Sequence, residues 1–389
     1  MMNKAVVSIV RCPDYSERHV RESLSACLRH VGGLQAYIKP EDTVLIKVNL
    51  LSPQTPEKAV TTHPALVKAV VDKVLECGGN PLVGDSSGGM MKGHSSTARA
   101  LDVSGIQDAV EAAGGKVVNF DQDGVVRIEN PNNLQADHFL MARSTQTADV
   151  IINMPKLKTH SATLFTGAVK NMFGSIPGYQ KAEYHRTSPN LEDFGRILVD
   201  IFMKAKPQLN IMDGILAMEG NGPAHGHPRM AGLLLASSDG VALDTVASKL
   251  IGFDPQRIDT NRIAAALDVG EGNLDNIDIR GLALAEASIK DFMLPSNAIL
   301  TRIPPFWVKR GLGFLSARPH IVNERCTKCG FCAENCPVQV ISMQHGYPLI
   351  DPKGCILCFC CQELCPHGAV VVRHRSPFLR AWMKVRGSR

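Results

Sequence analysis

The sequence predicts an α/β domain built on a largely parallel, three-layer sheet, followed by a small α+β unit rich in cysteine. Two observations carry this expectation. From residue 5 to residue 251 short apolar runs alternate with amphipathic stretches of helical length, the pattern of strands whose crossover helices cover both faces of a sheet. From Cys326 to Pro366 a cysteine pattern then appears twice at a constant offset of 29 residues, which marks a duplicated unit. A chain of 389 residues has room for both parts, since what precedes the cysteines is long enough to bury a core of its own.

Residues 5–10 read as the first strand and 16–31 as an amphipathic helix closed by Gly32-Gly33. Residues 44–51 read as a buried strand. Its alternation puts Val44, Ile46 and Val48 on one face and Leu45, Lys47 and Asn49 on the other, so that polar groups gather at its carboxyl end. Residues 64–77 read as a helix stopped by Gly78-Gly79, and 81–85 as another apolar strand. The alternation continues through 104–113, 116–121, 149–154, 191–204, 208–213, 232–237 and 241–251. Residues 282–318 read as a linker whose aromatic and basic stretch between Pro304 and Phe314 packs between domains, the alternative being contact with a membrane. The expected division is therefore 1–281 for the α/β domain, 319–373 for the cysteine unit and 374–389 for a basic tail.

In open α/β sheets ligands bind beyond the carboxyl ends of the strands, and the residues at those positions are unusually polar here. Lys47 and Asn49 end one strand, and Asp85-Ser86-Ser87-Gly88-Gly89 follows another. Lys156, Lys158 and His160 follow a third, with Lys170-Asn171 close behind; Asp213 and Glu219 follow a fourth, and Asp239 ends a fifth. Parallel strands bring such residues to one edge. Lys47, Lys156, Lys158, His160, Lys170, Asp213 and Glu219 are accordingly expected to meet in one pocket open toward the cysteine unit, the cations binding an anionic group while Asp213 and Glu219 move protons. The plainer readings are that the lysines cap separate loops and that Asp213 caps a turn through Gly214. The glycine-rich loop 84–93 is either a plain turn or an anion-binding loop, because Met90 stands where a phosphate loop needs lysine. His225 and His227 are surface histidines or metal ligands.

The cysteines follow the pattern C-x2-C-x2-C-x3-C-P in each half, first at Cys326, Cys329, Cys332, Cys336 and Pro337, then at Cys355, Cys358, Cys361, Cys365 and Pro366. In this bacterial iron–sulfur pattern the fourth cysteine of each half ligates the other half's cluster. Cys326, Cys329, Cys332 and Cys365 are thus expected to hold one cluster, and Cys355, Cys358, Cys361 and Cys336 the other. Three cysteines at intervals of three wrap a tight loop around one face of a cubane. The proline after the fourth then ends the loop, since it fixes its own φ and lacks an N–H. Four thiolates suit zinc as well, but zinc pairs rarely show three cysteines in seven residues followed by Cys-Pro. Cys360 fits no ligand position and reads as a small partly buried thiol or an alternative ligand.

Composition narrows the function. The formal charge of +5 falls to roughly +1 once eight ligand thiolates and two cores of about 2+ are counted, so the basicity is no sign of nucleic acid. The remaining cysteines, Cys12, Cys27 and Cys77, are scattered, which suits a reducing compartment and a cytoplasmic location. No apolar run approaches 18 residues, so no transmembrane segment is expected.

Residues 319–373 resemble the two-cluster bacterial-type ferredoxin. The resemblance implies two [4Fe-4S] clusters, short hairpin strands at 320–323 and 347–351, and one-electron transfer. A second resemblance spans residues 40–255. Ile46-Lys-Val-Asn-Leu-Leu51, Pro155-Lys-Leu-Lys-Thr-His160, Thr166-Gly-Ala-Val-Lys-Asn-Met-Phe-Gly174 and the stretch from Asp213 to Pro223 are similar to the family known as domain of unknown function 362. Its members often carry a ferredoxin module, and the likeness implies a shared fold without naming a reaction. Val48 departs from the Lys-Pro-Asn expected at that turn. The functional expectation is an iron–sulfur oxidoreductase, with a redox partner protein and an anionic small-molecule substrate. Its alternatives are an electron carrier or assembly module without catalysis, and an enzyme whose clusters are structural.

Overall fold

The computed structural model describes residues 4–91, 94–131, 134–188, 190–298 and 317–374. Its central element is a ten-stranded sheet made of β1 (Ala5–Arg11), β2 (Thr43–Lys47), β3 (Asn80–Asp85), β4 (Lys116–Asn119), β5 (Val150–Asn153), β6 (Lys156–His160), β7 (Leu164–Thr166), β8 (Leu209–Glu219), β9 (His227–Ser237) and β10 (Ile277–Gly281). The order is β10-β1-β9-β8-β5-β2-β3-β4, and β6 pairs with β8 on one side and β7 on the other. Along the main path every neighbour is parallel except β9, which runs antiparallel to both β1 and β8. This is the largely parallel sheet that the alternation predicts.

The helices include α1 (Glu17–His30), α2 (Pro64–Glu76), α3 (Ile106–Ala112), α4 (Gly178–Thr187), α5 (Leu191–Ala205), α6 (Gly240–Leu250) and α7 (Asp259–Ala266). In α1 the buried residues Val20, Leu24, Cys27 and Leu28 recur at helical spacing, so the helix offers one apolar stripe to the sheet. That stripe, with α2 and α3, packs on Val44, Ile46, Val83 and Ile152. Leu45 and Ile151 point to the opposite face, where α5 and α7 cover them, and α6 covers Val7 and Ile9. Three layers result.

Four boundaries differ from the sequence reading. β2 stops at Lys47 because the backbone donors after Val48 leave the ladder: Asn49 N–H donates to Thr62 Oγ1 and Leu50 N–H to Asp85. Residues 156–160 form a strand, buried throughout, where their charges suggest a loop after one. β8 is eleven residues long, so Asp213 lies within it and Glu219 ends it. Leu282, Leu284, Ile289, Phe292 and Ala298 pack into the core under α6, so 282–298 belongs to the α/β core and not to a linker. The stretch between Pro304 and Phe314 and the tail after residue 374 lie outside the described residues.

The cysteine unit is built from β11 (Ala317–Ile321), α8 (Phe331–Glu334), β12 (Ile341–Gln344), β13 (Tyr347–Ile350), α9 (Cys360–Glu363) and β14 (Val370–His374). β11 pairs with β14 and β12 with β13, both antiparallel, so each ladder joins one strand from each half or closes one hairpin. The duplication is visible in the backbone. Lys328 and Leu357 both have positive φ, as do Gly330 and Phe359, at the same offset as the cysteines. Glycine adopts this conformation freely, whereas a bulky side chain does so at a cost of about 1–2 kcal/mol. Phe359 is held there because its ring is buried against Ala162, Ala317 and Val372, where the two parts of the chain meet. Replacing Phe359 by Ala keeps the strained backbone and removes the anchor, so urea unfolding should lose about 3 kcal/mol. Phe359→Gly should lose about 1 kcal/mol less, and equal losses would show that the backbone conformation carries no strain.

Candidate functional site

Cys326, Cys329, Cys332 and Cys365 line one cavity of about 340 Å³, and Cys336, Cys355, Cys358 and Cys361 line another of about 320 Å³. Each cavity thus sees three thiols of one loop and the Cys-Pro thiol of the other half. Among the described residues no three His, Cys, Asp or Glu side chains are grouped as the site of a single ion. The four thiols stand around a space, as a cubane requires and a lone zinc does not. Ala369 N–H donates to Cys365 Sγ at 3.3 Å, a contact of the kind that tunes such sulfurs. The donor set and the cavities fit [4Fe-4S] groups. Cys329 is exposed, whereas Cys336 lines both the second cavity and a much larger pocket.

That pocket, about 1110 Å³ counting its open mouth, lies between the carboxyl edge of the sheet and the cysteine unit. Strand ends supply Lys47, Asp85 and Thr166, and the middle of β6 supplies Lys158; the helical turn after β7 supplies Lys170 and Asn171; α4 supplies Lys181 and His185. Cys336, Cys360, Glu363 and Leu364 close it from the other side. The register explains the meeting. Lys47 pairs with Asn153 across β5 and with Gly84 across β3, so the three strands end level.

The pocket is an arrangement of desolvated cations. Lys47 Nζ is 2.9 Å from Asp85 Oδ2 and donates to Val48 O, and both side chains are 1% exposed. Gly174 is required beside them, because a Cβ there would collide with both. Lys158 donates to the Val60 carbonyl at 2.8 Å, and burial, with Lys170 next to it, holds its amine well below the usual lysine range. Burial likewise lowers Lys170. Lys181 donates to Ser86 Oγ and Ser87 O, and burial brings it down to about 8 against the pull of Asp85 and Asp121. Glu363 would be raised by burial, but His160 and Lys170 more than offset that and hold it at about 2. His160 Nδ1 accepts from Ala162 N–H and Thr163 N–H, so its proton sits on Nε2, which stands 2.8 Å from Glu363 Oε1.

Of the seven residues expected to converge, Lys47, Lys158 and Lys170 line the pocket, and His160 stands behind its wall through Glu363. Lys156 and Asp213 do not reach it. They form a separate buried pair at 2.7 Å, and Asp213 also accepts from Tyr15 Oη at 2.7 Å and His63 N–H at 2.9 Å. The Tyr15 ring stacks on His63 with centroids 3.5 Å apart. With every lone pair engaged, Asp213 ties the segment between β1 and α1, the start of α2 and strand β6 to β8 and has no site to serve; burial raises it, but Lys156 wins and keeps its carboxyl below the usual range. Glu219 accepts from Met293 N–H and faces Arg229. Asp239 caps α6. His225 donates from Nε2 to the Cys365 carbonyl at 2.8 Å while His227 is exposed at the start of β9, so the two do not form a metal pair. Lys181, His185 and Glu363 escaped the sequence reading: the first two sit in a helix without a motif, and Glu363 is spacing between cysteines.

A family described as Domain of unknown function (DUF362) matches residues 44–249, and a 4Fe-4S dicluster domain matches residues 325–369. The chain is 38% identical over 262 residues to a thylakoid-associated protein of Synechocystis, sll1697, an alignment covering 65% of this chain and 77% of that one. Among solved structures it is similar to the lactate racemase apoprotein of Thermoanaerobacterium thermosaccharolyticum (14% identity, TM-score 0.43, 64% of this chain) and to a structural-genomics protein of Thermotoga maritima (15% identity, TM-score 0.33, 59% of this chain). It spans 57% of each of those two chains. It is an iron–sulfur protein of the [4Fe-4S] type. Among the described residues no helix is long and apolar enough to cross a membrane.

Two outcomes test this geometry. Asp213→Asn leaves Lys156 buried without its counter-charge and should cost about 3–5 kcal/mol in unfolding free energy while leaving cluster absorbance intact. Burial depresses His63, His160 and His185 to about 4 in the folded protein. The unfolded chain binds protons on them first, so their contribution is intact above the ordinary histidine value and is lost as pH falls from about 6.5 toward 4. His185→Phe, which keeps the stack on Phe194, should flatten the loss in that window by up to about 1.4 kcal/mol per pH unit relative to wild type; parallel pH profiles would refute this.

Proposed function

Because the chain belongs to the family described as Domain of unknown function (DUF362), whose description names no reaction, we propose its function from the site: it is an iron–sulfur oxidoreductase that delivers electrons to an anionic substrate in the lysine pocket. Two [4Fe-4S] clusters are held by crossed sets, an outer one by Cys326, Cys329, Cys332 and Cys365 and an inner one by Cys336, Cys355, Cys358 and Cys361. The observation that carries the reading is a shared wall, for Cys336 borders the inner cluster's cavity and the pocket alike. When bound, the clusters supply reversible one-electron transfer.

The chain's residues divide the remaining work. Exposed Cys329 marks the face where a redox partner protein, the reductant, comes close. Lys158 and Lys170 attract the substrate's anionic group in a site poor in water, where each charge acts more strongly than in solution. Lys47, held by Asp85, shapes the floor. Lys181, near 8, carries a proton at neutral pH and releases it readily, so it takes the proton role expected of Asp213 and Glu219 and refills from water at the mouth. Each electron accepted by the substrate is matched by one such proton. Eight thiolate ligands suit a reducing compartment, and we assign the protein to the cytoplasm.

Crossed ligation predicts that Cys365→Ala lowers iron from about eight to about four per chain and removes the outer cluster's EPR signal. Loss of the inner signal instead would overturn the assignment. Coupling between pocket and cluster predicts that inorganic phosphate shifts the reduced inner cluster's EPR spectrum in wild type and not in Lys170→Met. A spectrum indifferent to both would leave the clusters a structural role.

A further inference from the structure

The pocket holds more than cations, and its polar groups are oriented by a chain of amides. Asn210 Nδ2 donates to the Ser237 carbonyl at 3.2 Å, and its Oδ1 accepts from Asn153 Nδ2 at 2.9 Å. Asn153 Nδ2 also donates to the Ala168 carbonyl, and its Oδ1 accepts from Asn171 Nδ2 at 2.7 Å. Asn171 Nδ2 donates in addition to the Val48 carbonyl at 3.2 Å. Carbonyls can only accept, so no amide in the series can turn over, and Asn171 must present Oδ1 as an acceptor. Asn171 is 3% exposed, it lines the pocket, and its Oδ1 has no partner among the described residues. Thr166 Oγ1 and Asn49 Oδ1 line the same pocket and are also buried without partners. Beside Asn171, Lys170 makes no hydrogen bond or ion pair among the described residues; its amine lies 6.0 Å from the Phe173 ring and feels Glu363 only through space. A buried acceptor left unmet is costly, and a cation beside it compounds the demand.

We propose that the pocket's ligand is a small anion that also carries a hydroxyl or amine, a hydroxylated or aminated carboxylate or phosphate, with its anionic group on Lys158 and Lys170 and its donor on Asn171 Oδ1. This deepens the function proposed above and rests on the lysine pocket being the ligand site. The anion alone would satisfy the lysines and leave the amide oxygen dry. A site built to receive a donor discriminates strongly against analogues that lack one.

Titration calorimetry on the cluster-loaded chain tests the requirement with two matched series. One is propyl, 2-hydroxypropyl and 2-methoxypropyl phosphate; the other is butyrate, 3-hydroxybutyrate and 3-methoxybutyrate. In the series with the right anion the alcohol should bind at least about tenfold tighter than the plain anion, and the methyl ether, which accepts but cannot donate, should bind no better than the plain one. Which series binds identifies the anion. Asn171→Leu should bring alcohol and plain anion to within about twofold, while Lys170→Met weakens both; cluster absorbance reports that the variants are folded. An ether as tight as the alcohol, a plain anion as tight as either, or no binding in both series would overturn the proposal. Equal binding of all three in a series would leave the electron route standing, since the phosphate-dependent EPR shift reads that separately.

Discussion

Three lysine amines, those of Lys47, Lys156 and Lys158, are withdrawn from water at the carboxyl edge of one sheet, none more than 1% exposed. Desolvating an ammonium costs several kcal/mol unless a counter-charge or a full set of acceptors replaces water, so the architecture of this edge follows from how each amine is met. Lys47 has Asp85 from the next strand, and Asp85 in turn receives Leu50 N–H and Ser86 N–H, which bends the chain sharply after β2 and β3. Lys156 has Asp213, whose carboxylate also ties down Tyr15 and the start of α2. Among the described residues Lys158 has only the Val60 carbonyl as a hydrogen-bond partner, and this incomplete partnership distinguishes a candidate binding group from a structural pair.

The cysteine unit contributes the other half of the pocket, and it does so through an asymmetry inside its own symmetry. Its two loops share spacing, backbone conformation and helix position, but the positive-φ residues are Lys328 and Gly330 in one and Leu357 and Phe359 in the other. The first pair leaves its loop in water, where Lys328 lies over the Tyr347 ring at 4.2 Å. The second pair is apolar and docks against Ala162, which turns Cys360 and Glu363 toward the lysines. His225 and Gln362 add hydrogen bonds across the same junction, to Cys365 O and from Gln362 to Asn221 O. A duplicated unit with equivalent cysteines thereby acquires an outer and an inner end.

The layers of the fold, most of its helices and strands, and the grouping of the eight cysteines were legible in the chain, because they rest on local periodicity and short fixed spacings. The apolar alternation of Val44, Ile46 and Val48 needs no distant partner to be read, and neither do three cysteines in seven residues followed by Cys-Pro. The rule that parallel strands bring their ends together also gathered three of the lysines that line the pocket. The fate of each charge at that edge was settled elsewhere, in register and side-chain reach. Lys156 and Lys158 stand two residues apart on one strand, yet a bulge between them sets Lys156 against Asp213 and Lys158 against Met218, so one is neutralised and the other opens on the pocket. Lys181 and Glu363 reach the pocket from a helix and from a cysteine loop far away in sequence, and Asn171 owes its fixed acceptor to an amide relay across three elements. Pairing of this kind depends on distances between segments that no local pattern encodes, so tertiary structure alone separates a buried ion pair from a binding group.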